Sequence, residues 1–217
     1  MGSVSEIYQE RRLQAIAARW DARATTWESD LAQPACHLNE DAAYERFLRQ
    51  ACSTITERRE FCARNGVIDA GCGTGLVLEK VISGFGWGVG VDLSPAMLGM
   101  AGRKHIPCAR FVLGDCFQLA ELCPPVGAVL SRGVLLSHYG LPQAGKLLKA
   151  AKGALVPGGF VLFDFLNASA RSLYAHSAEE KAFFAGPEIV ALAHRAGFNA
   201  ASVLGEAERR VLLLLAD

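Results

Sequence analysis

Three aspartates and one glycine-rich turn carry the first chemical signal in this chain. VIDAGCGTG (67–75) places Asp69 at the end of a short apolar run, followed by Gly71, Gly73 and Gly75. Glycines at these positions permit positive φ and let a backbone approach a ligand closely. A helix starting near Gly75 would add unpaired N–H groups and a positive dipole end. The spacing is G-x-G-x-G, one residue short of the dinucleotide fingerprint, which disfavours NAD. Gly75 is followed by Leu76 and not by Lys-Ser/Thr, so ATP held by a phosphate loop is also disfavoured. Asp92 closes the next apolar run, GVGVD (88–92), 17 residues after Gly75. Its two carboxylate oxygens match two adjacent ribose hydroxyls. The competing role is the N-cap of a helix starting at Pro95, for which Ser94 is also available. Asp115, in GDCF (114–117), can accept from an exocyclic base amine while Phe117 packs beside the base. An ordinary turn residue would look the same.

A second group sits farther along, in LSRGVLLSHYG (130–140). His138 titrates near neutrality in its unperturbed state and is the first candidate for a general base or substrate-orienting group. Tyr139 beside it is a further catalytic candidate. Arg132 can bind a carboxylate of the substrate or of the cofactor. Asp164, at the end of GFVLFDF (159–165), is a third catalytic candidate, and Asn167 a weaker one. Structural hydrogen bonds and surface ion pairs are the competing roles for these residues. Tyr8, Trp20, Arg23 and Trp27 are candidates to cover the site. Seven cysteines show no C-x-x-C pair and no zinc-site spacing, so no metal is expected. Cys72 and Cys116 have no charged sequence neighbour that would mark a nucleophile.

These residues need a frame. The chain of 217 residues, 51% hydrophobic and 20% charged, fits one domain with a sizeable core. Lys+Arg and Asp+Glu are both 22, a balance that argues against nucleic acid as a partner. A polar start (MGSVSEIYQERR) and a terminal apolar run of only VLLLL suggest neither a secretory leader nor a membrane span. With reduced cysteines, this points to the cytoplasm. Helical spacing covers 4–20, capped by Ser3 or Ser5, and a segment after Asn39 that ends at Asn65-Gly66 in a left-handed cap. From residue 67 strands alternate with helices: strands at 67–70, 88–92, 109–113, 127–131, 159–165, 199–205 and 209–215, helices at 75–83, 95–103, 142–154 and 187–196. Leu155–Gly159 reads as a helix stop and turn. The alternation predicts a doubly wound α/β domain, a parallel sheet covered on both faces, with a final antiparallel hairpin. Residues 1–64 form a helical lid and 65–217 the binding domain.

VIDAGCGTG, GVDLSPAMLGMA (90–101), FVLGDCFQL (111–119), LLKAAKGALVPGGFVLFDF (147–165) and PEIVALAHRAGF (187–198) together resemble the class I S-adenosylmethionine-dependent methyltransferases. The resemblance implies a Rossmann-like seven-stranded sheet ordered 3-2-1-4-5-7-6, with strand 7 antiparallel. It implies S-adenosylmethionine as methyl donor and S-adenosylhomocysteine as product. Asp69 and the backbone of Ala70, Gly71, Cys72 and Gly73 would hold the methionine end. Asp92 would take the ribose, Leu93 and Met97 an adenine face, and Asp115, Cys116 and Phe117 the adenine edge and its flank. Ser131 and Arg132 complete the implied cofactor set. Ser131-Arg132-Gly133-Val134 lacks the Asn/Asp-Pro-Pro-aromatic motif of nucleic-acid amino-methyltransferases, and Pro107-Cys108 falls before the third strand. Gly133…His138 is similar to small-molecule methyltransferases, although Val134 departs from the glycine N-methyltransferase pattern. The expected reaction is methylation of an N or O atom of a small metabolite. A protein or RNA acceptor, and a cofactor-binding protein without turnover, stay open as alternatives.

Overall fold

The computed structural model describes residues 4–32, 42–133, 135–174 and 181–217. Ser3, Asn39 and Val134 lie outside them, as does the side chain of Tyr8. Helices α1 (Val4–Asp21) and α2 (Trp27–Leu31) precede α3 (Ala43–Glu57) and α4 (Arg59–Arg64). The alternating part follows: β1 (Gly66–Ala70), α5 (Leu76–Val81), β2 (Trp87–Asp92), α6 (Pro95–Arg103), β3 (Ala109–Leu113), α7 (Leu119–Leu122), β4 (Val126–Ser131), α8 (Leu141–Gly153), β5 (Leu155–Leu166), α9 (Gly186–Arg195), β6 (Ala200–Leu204) and β7 (Arg210–Ala216). The strands form one sheet in the order β3-β2-β1-β4-β5-β7-β6. β1 to β5 run parallel, and β7 is antiparallel to both β5 and β6.

The central strands are apolar on both sides because both sides are covered. Ile68, Val129, Val161 and Phe163 face α8 and α9 in one core, with Leu147, Leu148, Ile189 and Ala193. Val67, Leu130, Phe160 and Leu162 face the other way, against Phe47, Ala51 and Ile55 of α3 and Leu78 of α5. Alternation along each strand divides the two cores. Part of the N-terminal helical segment therefore belongs to the packing of the sheet itself: α3 and α4 cover one face. Truncating a fully buried ring such as Phe163 (0% exposed) to alanine costs roughly 3–5 kcal/mol.

Two local readings are corrected. Asn65 is extended (φ −123, ψ 167) and Gly66 already belongs to β1, so the left-handed cap does not form. The glycine serves packing instead: a Cβ on Gly66 would stand 2.4 Å from the Trp87 ring. The segment Leu155–Gly159 is not a turn before β5 but its beginning, and the register slips where Leu155 pairs Val126 and Phe160 pairs Ala128. Gly158, at φ +77, absorbs the irregularity. Gly197 closes α9 at φ +99 as expected.

Strand order reverses between β1 and β4, so the carboxyl ends of these strands diverge and leave a crevice. The candidate residues lie around that crevice.

Candidate active site

The turn after β1 is built on its glycines: Gly71, Gly73 and Gly75 have φ of +71, +52 and +78. The N–H groups of Gly71 and Cys72 both donate to the Val91 carbonyl, at 2.8 and 3.0 Å, which fastens the turn to β2. Asp92 completes the fastening. Its Oδ2 accepts from Gly73 N at 2.8 Å and its Oδ1 from Ser94 N at 2.9 Å. Ser94, not Asp92, is the helix cap: its Oγ accepts from Met97 N at 3.0 Å. Each Asp92 oxygen thus keeps acceptor capacity toward the crevice. Burial raises the Asp92 carboxyl, opposed by the N–H groups of Ser94, Gly73 and Leu93.

Asp69 is 1% exposed, and its Oδ2 has no hydrogen-bond partner among the described residues. Burial first, and the Asp92 charge second, push its carboxyl up to about 7. A buried acceptor without a partner is costly, so this oxygen suits a cationic or N–H-bearing ligand group. Asp115 Oδ1 accepts from Phe117 N at 3.0 Å and caps the turn Cys116–Gln118, while burial raises its carboxyl. Burial and the nearby aspartates hold the Cys72 and Cys116 thiols well above the ordinary range. Both are therefore thiols, without nucleophile character.

The crevice opens into one cavity whose lining runs from the glycine turn after β1 to the loop after β4. Of the expected cofactor residues, Asp69, Gly71, Cys72, Gly73, Asp92, Leu93, Met97, Asp115, Cys116, Ser131 and Arg132 line it, together with His138 and Tyr139. Ala70, Phe117 and Asp164 are not among its lining residues. The Ala70 carbonyl accepts from Ser131 Oγ at 2.6 Å, tying β1 to β4. The Phe117 ring packs edge to face on Tyr139, centroids 5.0 Å apart, and so backs the wall that Tyr139 forms. Asp164 is 2% exposed; its Oδ1 accepts from Gly133 N at 2.9 Å and its Oδ2 stands 3.8 Å from Arg210 Nη1. It fixes the loop after β4 from behind. Asn167 likewise spends its amide on the Glu206 and Glu208 carbonyls.

His138 ends a short 3-10 turn (Leu135–His138), and Lys181 Nζ stands 2.8 Å from its ring nitrogens. An ammonium only donates, so the nitrogen it engages must be an acceptor. The Arg132 guanidinium lies over the Tyr44 ring at 4.9 Å. Tyr44 donates to the Leu76 carbonyl at 3.2 Å, and burial raises its phenol to about 12. Lys181, Arg210, Tyr44 and Leu166 line the cavity without having been marked in the sequence. Arg210 had one usable signal: the first residue of an antiparallel strand lies at the carboxyl end of its parallel neighbours.

α1 and α2 lie at the mouth. Ile16, Trp20 and Trp27 line the cavity, and Trp20 packs edge to face on Trp27 at 5.2 Å. Arg23 lies outside the lining, over both indoles at 5.5 and 5.3 Å. Asp21 Oδ1 accepts from Ser94 Oγ at 2.5 Å and from Ala96 N at 3.0 Å. The mouth is thereby clasped to the same serine whose N–H holds Asp92.

Residues 67–159 match the family described as "Methyltransferase domain". The matched stretch is 93 of the chain's 217 residues, running from β1 into β5, and the sheet order agrees with the fold of the class I S-adenosylmethionine-dependent methyltransferases. The chain is 32% identical over 109 residues to the ubiquinone biosynthesis O-methyltransferase of Idiomarina loihiensis, covering 49% of this chain and 44% of that protein. It is 33% identical over 110 residues to the enzyme of the same name from Paraburkholderia phytofirmans, covering 49% and 46%. The matched stretch thus spans less than half the length of these curated relatives. Among solved structures, the DhpI-SAM-HEP complex superposes with a TM-score of 0.67 over 99% of both chains at 19% identity. Magnesium protoporphyrin IX methyltransferase (ChlM) from Synechocystis PCC 6803 with bound SAM gives 0.71 over 94% of this chain and 96% of that one, at 14% identity. At such identities these structures establish the shared fold.

Proposed function

We propose that this methyltransferase moves a methyl group from S-adenosylmethionine to an N or O atom of a small metabolite. The observation that carries the reading is the set of three aspartates at the ends of β1, β2 and β3, all lining one cavity beside a glycine turn without a phosphate signature. Such a turn suits a nucleoside cofactor that has no pyrophosphate. The orphaned Asp69 oxygen fits the cationic methionine end. When bound, S-adenosylmethionine supplies a methyl group activated by its sulfonium, and S-adenosylhomocysteine remains after transfer.

The chain's own residues do the rest. Asp69 and the backbone from Ala70 to Gly73 orient the methionine end, Asp92 accepts from the ribose hydroxyls, and Leu93 and Met97 cover the adenine. Asp115 and Cys116 meet its edge. Alignment in a water-poor cleft supplies much of the help a displacement needs. His138 takes the proton that the acceptor sheds once Lys181 has turned from its acceptor nitrogen to the bound substrate, with Tyr139 as the adjoining wall. Asp164 acts through Gly133 and Arg210 as a positioning residue. Of residues 1–64, α1 and α2 contribute the lid over the mouth, while α3 and α4 pack on the sheet.

The small-molecule reading draws on the names of the relatives, enzymes of ubiquinone biosynthesis. Among the described residues no helix is long and apolar enough to cross a membrane; we place the protein in the cytoplasm. The test is to incubate the protein and methyl-labelled donor with a cell metabolite extract, with separate protein and RNA fractions in parallel. Label is expected in a small molecule. Label confined to protein or RNA would overturn the acceptor class, and donor binding without label in any fraction would remove the transferase activity.

A further inference from the structure

Charge is segregated along the cavity. Among its described lining residues, the acids Asp69, Asp92 and Asp115 all stand at the ends of β1, β2 and β3. The basic side chains His138, Lys181 and Arg210 stand at the other end, around β4, β5 and β7, and Arg132, over the Tyr44 ring, stands between the two. Apolar Leu166, at the end of β5, lines the basic end, and Leu135 lines the cavity beside Gly71. Arg210 is 2% exposed, and the carboxylate of Asp164, which is not among the lining residues, stands 3.8 Å from its guanidinium. Arg46 Nη2 donates to the Arg210 carbonyl at 2.9 Å, which fixes the backbone as well. A preset guanidinium in a cleft is the usual recognition element for a carboxylate or phosphate, because it offers paired donors in a fixed plane. Lys181 adds a point charge beside His138.

We propose that the methyl acceptor is an acid: a small molecule whose carboxylate or phosphate-type group is held by Arg210 and Lys181, with Arg132 at the border between the two ends. Leu166 then flanks its apolar body, and His138 faces the group that receives the methyl. The opposed ends also sort the two substrates, since a cationic donor is drawn to the acids and an anionic acceptor to the bases. This rests on the donor reading above, and deepens it by naming the acceptor's chemistry.

The test is calorimetric titration of the full chain saturated with S-adenosylhomocysteine, so that the donor's own carboxylate is already in place. Benzoate, benzamide and inorganic phosphate are the probes. Saturable binding of benzoate or phosphate is expected, with benzamide at least tenfold weaker than benzoate; whichever anion binds more tightly identifies the acid class. Lys181→Met and Arg210→Met are each expected to weaken anion binding at least tenfold while S-adenosylhomocysteine affinity changes less than twofold. Arg210 is buried beside Asp164, so Arg210→Lys and the more accessible Lys181→Met keep the test decisive if Arg210→Met does not fold. Equal affinity for benzoate and benzamide, no binding of either anion, or unchanged anion affinity in Lys181→Met would each overturn the proposal. Absence of S-adenosylhomocysteine binding would instead defeat the donor reading, and the same anion titration on the unliganded protein would still decide the acid site.

Discussion

The two ends of the cavity are built in different ways. At the donor end the three aspartates sit at or just beyond strand ends, and the backbone fixes two of them: Gly73 N and Ser94 N hold Asp92, and Phe117 N holds Asp115. At the acceptor end the side chains come from distant segments and hold one another, as Lys181 holds His138 and Asp164 borders Arg210. The first design fits a ligand that never changes. In the second, His138 and Lys181 lie outside the strands and can be exchanged without disturbing the sheet, which suits a half of the site that chooses a substrate.

This contrast can be broken at either end, and substitutions there should fail differently. The largest effect is expected for His138→Ala, with kcat lowered roughly 10²- to 10⁴-fold, as for loss of a general base, and donor affinity unchanged. Single-turnover and steady-state assays with the identified acceptor would check it; near-wild-type turnover would remove the catalytic role. Asp69→Asn is expected to weaken S-adenosylhomocysteine binding about tenfold to a hundredfold, the worth of roughly 1.5–3 kcal/mol for a charged hydrogen bond, and yet to raise the melting temperature of the unliganded protein at pH 8. Calorimetry and thermal melts together would show whether the donor end stores that opposition.

The same residue sets a pH dependence. Its folded carboxyl lies at about 7 against an ordinary value of 3.8, so the native chain binds more protons than the unfolded chain between those values. Stability of the unliganded protein should therefore rise as pH falls from about 8 toward about 4, and Asp69→Asn should flatten that slope. S-adenosylhomocysteine, whose amino group seeks the ionised acid, should raise the melting temperature more at pH 8 than at pH 6. The smallest effect is expected for Asp21→Ala, which removes the clasp to Ser94 and Ala96. Loss of such a cap costs about 1 kcal/mol, or roughly fivefold in donor affinity if the lid closes on bound donor.

The contrast also explains what the sequence made legible. Strand ends, glycine turn and aspartates occur in short local stretches, so Asp69, Asp92 and Asp115 could be read in order, and all three line the cavity. Asp115 shows that two local readings can hold together, since it caps its turn and lines the cavity as well. Lys181 and Arg210 could not be read that way, because they come near His138 and Arg132 only through the β5–β7 pairing and the connection before α9. Asp164 was legible as a strand-end acid, but whether it turns toward the ligand or toward Gly133 depends on packing that no local stretch records. Asn65-Gly66 misled for a similar reason, because the Trp87 ring that demands the glycine lies on the neighbouring strand.

The most direct test of the central claim is titration of S-adenosylhomocysteine into the wild-type protein and into Asp92→Ala. Saturable binding at one site per chain is expected, weakened at least thirtyfold in the variant, since Asp92 braces Gly73 and, on the proposed reading, meets the ribose; that ratio corresponds to about 2 kcal/mol, within the range for hydrogen bonds to a charged group. No heat from folded wild-type protein, or equal affinity in Asp92→Ala, would contradict it.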